Sequence, residues 1–344
     1  MTKRLLIVPE RWAHHIVQSS IDHMLEFLDG FELFEEPAGE LAALPPGFFK
    51  GIGAVPNLRT AYDERSFRRE LSLIARMVGE SPALVHFLNG ESAAYLTPGH
   101  KGAHTVLATY HQPPAFMEEI IPDKSHFPLH DGVIVIAPNQ LDYFESITGK
   151  GKVHLVPLGV EHAFFPFGRP ENRVPRILFV GNWLRDFPTL VDAVSRIKAA
   201  APDVEVACVT PEKNHYLFHG LDVRLLTGIP TVDLLELYRT SSAFLFPVAD
   251  CTGNTALLEA MCSGLPVVTN RKVLETGYVD GESALVAADG DAEAMARYCL
   301  ELARDGSFRR GRSEAVRQWV VDQFNWRRVA DIQKAVYAQY GWQG

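Results

Sequence analysis

Thr252-Gly253-Asn254-Thr255, followed by Glu259, sets a polar, glycine-containing turn ahead of a helical pattern with one carboxylate about a turn inside it. A helix N-terminus offers unpaired backbone N–H groups and the positive end of a dipole, which suits a diphosphate. A carboxylate nearby can accept two hydrogen bonds from a ribose diol. Together these residues outline a nucleotide-sugar site. Glu259 also stands alone among Leu257, Leu258, Ala260 and Met261, so if it is buried it needs polar partners.

The elements around this turn must hold it in place. Ala243 to Pro247 reads as a buried strand, Asn254 to Cys262 as a short helix, Gly264 as its stop and Pro266 to Thr269 as a second buried strand. The same alternation precedes it: expected strand Arg176 to Gly181, helix Thr189 to Ala199, strands Val204 to Val209 and Val223 to Leu226, and helix Thr231 to Ser241. In the first half, expected strands are Arg4 to Val8, Leu84 to Leu88, Thr105 to Tyr110, Gly132 to Ala137 and Val153 to Val156. Expected helices there are Val17 to Leu28, Phe67 to Met77 and one starting at Leu141. Strands alternating with helices point to right-handed βαβ units and parallel sheets. Pro and Gly recur from Pro157 to Pro175 and interrupt any regular element, which places a domain boundary there.

Bulk properties fit this division. A chain of 344 residues is long for one core, and 47% hydrophobic with 22% charged residues is ordinary globular composition. The net charge of -9 argues against a broad nucleic-acid surface. Cys208, Cys251, Cys262 and Cys299 form no C-x-x-C pair, which disfavours a zinc site and fits a reduced compartment. No apolar run approaches the roughly 20 residues of a bilayer span, and the N-terminus reads as a first strand, so a cytoplasmic location is expected. Arg65, Arg68, Arg69 and Arg76 share an expected helix with Phe67, Leu71, Leu73, Ile74 and Met77, which suggests a basic face able to touch an anionic membrane surface, or simply a solvated one diluted by Glu64 and Glu70.

From about His154 onwards the sequence resembles the retaining GT-B glycosyltransferases of glycosyltransferase family 4. The likeness rests on ordered signatures: Val156 to Glu161 ahead of Phe165 and Pro166; Leu178 to Gly181; Leu237 and Tyr238; Leu258 to Met261 with Gly264 to Val268; and Phe324 to Trp326. In the first half it is limited to Thr109 to His111 and Val135 to Asn139. The resemblance implies an α/β fold of two Rossmann-like domains with parallel sheets facing a central cleft. Residues 1–165 would bind the acceptor, 170–325 the nucleotide sugar, and 326–344 would form a helix packing back on the first domain.

The implied reaction is metal-independent transfer of a hexose-type unit, with retention, from a UDP- or GDP-type sugar to a hydroxyl of a saccharide, lipid-linked or small-molecule acceptor, with no resident cofactor. Arg185 falls where the family usually has a basic residue on the donor diphosphate; the competing reading is a surface arginine paired with Asp186. Gly181, Asn182, Gly253, Asn254 and Thr255 would line the donor, with Glu259 on the ribose. The family has another glutamate, with seven residues between it and the one that Glu259 matches, and here that place is taken by Cys251, with Asp250 next to it. His111 would lie near the donor sugar, or be an ordinary loop histidine. His14 and His15 stand where relatives carry a glycine pair, facing the acceptor or simply opening a helix. Two other readings stay open: a nucleotide-sugar-binding protein with weak or lost activity, and a sugar-nucleotide epimerase on the same fold. No G-x-G-x-x-G follows the first strand, which disfavours a dehydrogenase.

Overall fold

The computed structural model describes residues 2–9, 16–34, 43–56, 60, 62–168 and 174–344. Glu10 to His15, including both His14 and His15, lie outside the described residues, as does part of the linker at 169–173. The chain forms two compact units: the first gathers the described parts of 1–15, 21–157 and 327–344, the second 16–20 and 158–326.

The first unit is built on six short strands: β1 (Arg4–Val8), β2 (Phe31–Leu33), β3 (Ala83–Phe87), β4 (Thr105–Tyr110), β5 (Gly132–Val135) and β6 (Val153–Leu155). They pair in the order β2-β1-β3-β4-β5-β6, all parallel. Leu84, Val85, Phe87, Val106, Leu107 and Ala108 are fully buried, as continuous apolar runs in a sheet covered on both faces should be. Helices α1 (Glu64–Met77), α2 (Pro114–Ile120) and α3 (Leu141–Thr148) pack around it. The C-terminal helix, Trp326–Gln339, joins this unit from Arg327 on. Its Tyr337 hydroxyl lies 2.6 Å from Nδ1 of the buried His86, and the Tyr340 hydroxyl lies 2.8 Å from His154 Nε2.

Two expectations change here. Val17 to Leu28 is not an α-helix but two 3-10 helices, Val17–Ser19 and Ile21–Phe27, broken at Ser20, whose backbone is extended. The cause is tertiary: residues 16–20 belong to the second unit, and Ser19 is drawn to a partner there. Nor does α1 present a basic stripe. Arg68 is buried and bonds Glu64 (2.6 Å) and the carbonyl oxygens of Leu44 (3.0 Å) and Pro45 (2.6 Å), while Arg69 donates to the Pro9 carbonyl at 2.9 Å. Arg76 pairs with Glu32 at 2.6 Å, leaving Arg65 as the exposed one of the four. The observation that suggested a membrane face is thereby removed. Glu70 is likewise turned inward, accepting from the Tyr62 hydroxyl (2.8 Å) and the backbone N–H groups of Tyr95 (3.0 Å), Leu96 (2.9 Å) and Thr97 (2.7 Å). Among the described residues no helix is long and apolar enough to cross a membrane.

The second unit repeats the plan with β7 (Arg176–Val180), β8 (Glu205–Val209), β9 (Arg224–Leu226), β10 (Ala243–Phe246), β11 (Val267–Asn270) and β12 (Ala284–Ala287). Their order is β12-β11-β10-β7-β8-β9, again all parallel. Helices α4 (Phe187–Ala200), α5 (Thr231–Thr240), α6 (Thr255–Cys262), α7 (Ala292–Arg304) and α8 (Gly306–Phe324) accompany it. One buried cluster runs from Ile177 and Phe179 through Leu190, Val194 and Ile197 to Met295, Cys299 and Leu302, clamping α4 and α7 onto the sheet. The linker signature is fixed by this unit too. The Leu158 N–H donates to the Tyr278 hydroxyl at 2.6 Å and the Val160 N–H to the Phe324 carbonyl at 2.8 Å, while a Cβ on Gly159 would lie 2.5 Å from the Trp326 ring.

Candidate functional site

In the second sheet the chain runs from β7 outward through β8 and β9, then returns to β10 on the other side and continues to β11 and β12. The order therefore reverses between the adjacent strands β7 and β10, and the crevice outside their carboxyl ends is where ligands of open α/β sheets bind. Two loops meet there, residues 181–186 after β7 and 247–254 after β10. They are tied by a bridge between Arg185 and Val248, by the Ala249 N–H on the Leu184 carbonyl (2.8 Å) and by the Asp186 N–H on the Pro247 carbonyl (3.2 Å). Leu184 is held at φ 52°, the left-handed region that a residue with a Cβ seldom occupies, and among the described non-glycine residues none shares it.

That turn delivers Arg185 inward. The guanidinium is 9% exposed, sits 4.2 Å above the Phe246 ring and donates from Nη1 to the Trp183 carbonyl at 2.9 Å. Nη2 reaches the Val180 carbonyl (3.5 Å) and Asn254 Oδ1 (3.4 Å) only loosely, and Nε has no acceptor among the described residues. No carboxylate among the described residues pairs with it. Burial pushes its pKa down to about 10, so the cation is retained at neutral pH at the expense of an environment that disfavours it. Asp186 does not partner Arg185; it caps α4, accepting from the Thr189 N–H (3.1 Å) and hydroxyl (2.6 Å). Gly181 makes the room, since a Cβ there would lie 2.5 Å from Arg185 Nη2, and its φ of 124° excludes most side chains as well. Asn182 ties the same loop sideways, accepting from Asn214 Nδ2 at 2.7 Å.

Helix α6 opens beside the guanidinium. Asn254 caps it by accepting the Leu257 N–H at 3.2 Å, which leaves the N–H groups of Thr255 and Ala256 without an acceptor among the described residues. Gly253 is packed against the Tyr278 hydroxyl and Leu158, at 2.5 and 3.0 Å from where a Cβ would sit. Gly253→Ala should therefore push Tyr278 off the Leu158 N–H and destabilise the fold by about 1–3 kcal/mol, read as a lower urea midpoint at an unchanged slope. Cys251 is buried, its thiol donating to the Thr252 carbonyl at 2.9 Å, and burial raises its pKa to about 12, so it brings no charge to the site. Asp250 is half-buried and accepts the Cys251 N–H at 2.8 Å.

Glu259 lies one turn along α6, 4% exposed, with each oxygen already engaged: Oε1 accepts from the Ser19 hydroxyl at 2.6 Å and Oε2 from the Tyr238 hydroxyl at 3.1 Å. Burial raises its pKa, and these two hydrogen bonds oppose the rise. Neither partner was assigned a role from the sequence. Tyr238 lies within a recognisable signature, whereas nothing local marks Ser19, 240 residues away. Phe246 and Tyr278 were missed in the same way, since apolar runs carry no sign of which ring will lie under Arg185 or against the Leu158 N–H.

In the first unit, His111 follows β4. Its N–H is held by Glu91 Oε1, which also accepts from the Gln112 N–H at 2.9 Å, and its Nδ1 lies 3.5 Å from Glu91 Oε2. This turns the imidazole edge bearing Nδ1 towards Glu91.

Residues 174–305 match the family model described as glycosyl transferases group 1. The candidate site lies inside this match, from Gly181 to Glu259. Among curated proteins, the chain is 21% identical over 224 residues to glycogen synthase of Mycobacterium tuberculosis, covering 60% of this chain and 54% of that protein. It is 32% identical over 109 residues to O-antigen chain mannosyltransferase B of Escherichia coli, covering 30% and 27%. It thus spans about half or less of the length of the curated relatives it matches. Among solved structures it is similar to Anabaena Alr3699/HepE in complex with UDP-glucose, with a TM-score of 0.72, 12% identity and coverage of 98% and 100%. It is also similar to a sucrose-phosphate synthase from Thermosynechococcus elongatus, with a TM-score of 0.66, 18% identity and coverage of 90% and 84%. At these identities the likeness shows the fold, and the fold is GT-B.

Proposed function

We propose that this protein is a glycosyltransferase that moves a sugar from a nucleoside diphosphate sugar to an acceptor hydroxyl, with retention and without a metal ion. The observation that carries the reading is Arg185: a buried cation with no carboxylate partner among the described residues, at the topological switch point, beside the free N–H groups of Thr255 and Ala256. A diphosphate satisfies all of these groups at once. On departure the nucleoside diphosphate gains charge on its bridging oxygen, and a fixed guanidinium in a low-dielectric site stabilises that charge.

In this reading Glu259 takes the ribose diol with the lone pairs that Ser19 and Tyr238 leave over, and the leaving phosphate oxygen accepts the acceptor's proton as the new glycosidic bond forms. Gly181 and Asn182 shape the diphosphate loop. Because Cys251 is uncharged and turned to the Thr252 carbonyl, donor-sugar recognition at that point rests on neutral contacts. UDP is the first base to try, since the Anabaena neighbour's structure contains UDP-glucose.

A screen of UDP, GDP and their sugars by thermal unfolding tests the first half. At 100 times the dissociation constant a ligand adds about 2.7 kcal/mol of stability, roughly 5–10 °C for a domain of this size. Transfer in EDTA, with the product's anomeric configuration read by NMR, tests the second. The absence of any stabilising nucleotide would sink the proposal. Tight binding without transfer would instead favour a nucleotide-sugar-binding protein, the reading that Cys251 supports. Release of nucleoside diphosphate without a glycosylated acceptor would point to an epimerase.

A further inference from the structure

We propose that Ser19 is a positioning residue for nucleotide recognition: carried into the second unit by residues 16–20, its hydroxyl fixes the Glu259 carboxylate so that the remaining lone pairs meet a ribose diol. This rests on the nucleotide-sugar reading above.

The geometry is over-determined. Ser19 is fully buried, and its hydroxyl has two acceptors within reach, Glu259 Oε1 at 2.6 Å and the Ile16 carbonyl at 3.1 Å. With a single proton to give, it favours the nearer, charged oxygen. The backbone is pinned on both sides of that contact. The Gln18 carbonyl accepts from Trp326 Nε1 and from the Glu161 N–H, each at 2.9 Å, and the Ser19 N–H bonds the Ile16 carbonyl at 3.1 Å. Residues 16–20 thereby give up an α-helix that their sequence would otherwise support, and Ser19, the most deeply buried of the five, is the one that touches Glu259.

A carboxylate has about four acceptor positions. Ser19 takes one on Oε1 and Tyr238 one on Oε2, which fixes the plane of the group and leaves one on each oxygen, the pattern a vicinal diol fills. The nearby groups do not replace Ser19: Tyr238 bonds the other oxygen, the Arg185 charge acts on Tyr238 rather than pairing with Glu259, and the Cys262 thiol is neutral at physiological pH. Burial favours the protonated acid, and Ser19 is the first of two groups opposing it. Losing the hydroxyl would therefore both free the carboxylate to rotate and protonate it at a higher pH.

The test is isothermal titration of the full chain with UDP and with 2′,3′-dideoxy-UDP, repeated from pH 5.5 to 8.5, with GDP and its dideoxy form used if the wild type prefers them. Ser19→Ala should weaken the ribonucleotide about tenfold while leaving the dideoxy nucleotide unchanged. Its affinity for the ribonucleotide should also fall away at a higher pH than the wild type's as the solution is acidified, and Ser19→Thr should restore both. Ser19→Cys, close in size but a poor donor, makes the same comparison if the alanine variant does not fold. Equal losses for both nucleotides, or no loss for either, would overturn the role of Ser19 while leaving the nucleotide site intact. A wild type that binds no nucleoside diphosphate would overturn the underlying reading and this inference with it.

Discussion

Replacing Arg185 by methionine should abolish detectable transfer and weaken nucleoside diphosphate binding about 100-fold or more, yet leave the unfolding temperature at or above that of the wild type. The two halves have one cause. A guanidinium that is 9% exposed and has no carboxylate partner among the described residues pays desolvation without a matching ion pair, which is why burial lowers its pKa to about 10. Methionine keeps much of the contact with the Phe246 ring and removes the stranded charge. In the proposed reaction the diphosphate, by contrast, loses a buried cation at the switch point, and the loss of a single preorganised donor to a developing oxyanion typically lowers turnover by about 10²–10³. Thermal melts and single-turnover assays on the same sample check both statements. A variant that is less stable by several degrees and still active would show that Arg185 serves packing alone.

A residue that works against stability is what a sequence seldom discloses. The alternation of apolar runs and helical periods was enough to place both parallel sheets, because strands such as Leu84 to Phe87 and Phe244 to Phe246 are buried on both faces and cannot be written any other way. The opening of α6 at Asn254 and its stop at Gly264, at φ 64°, were legible for the same reason: cap chemistry is local. Strands β2 and β12 were not, since three or four residues at a sheet edge take their conformation from a neighbour rather than from a pattern. Val17 to Leu28 shows the limit most clearly. Its helical period is real, but Ser19 meets Glu259, Gln18 meets Trp326, and those distant contacts prevail over local propensity. Arg68, Arg69 and Glu70 mislead in the opposite sense, for a run of charges is ordinarily a solvated face and here all three are buried and bonded. In the site, residue type pointed to Glu259 and the family resemblance to Arg185; the hydroxyls that hold Glu259 come from Ser19 and Tyr238, far apart in the chain, and no spacing rule connects them.

Acidification should unfold the first unit. Three histidines there are buried and neutral: burial lowers His86 to about 3, His126 to about 4 and His130 to about 3. Each has an ordinary pKa near 6.5 once unfolded, so below that pH the unfolded chain takes up protons that the native unit refuses. Stability is therefore full above about pH 6.5 and falls as the pH drops towards 3–4. One unit of pKa difference corresponds to about 1.4 kcal/mol, so between pH 6.5 and 5 each ring removes roughly 2 kcal/mol and the three together roughly 6 kcal/mol. That is a large part of the 5–15 kcal/mol typical of a whole domain. Glu70 acts in the opposite direction, since burial raises its pKa and protonation favours its native state, so it softens the fall. Hydrogen exchange of the amides in β3 and β4, followed from pH 7 to 5, should show a steep loss of protection. His86→Gln, which can still meet the Tyr337 and Thr109 hydroxyls, should remove about a third of that slope even if its protection at pH 7 is lower. Exchange that stays flat over this range would mean that the buried rings find water, or a partner for their charge, without unfolding.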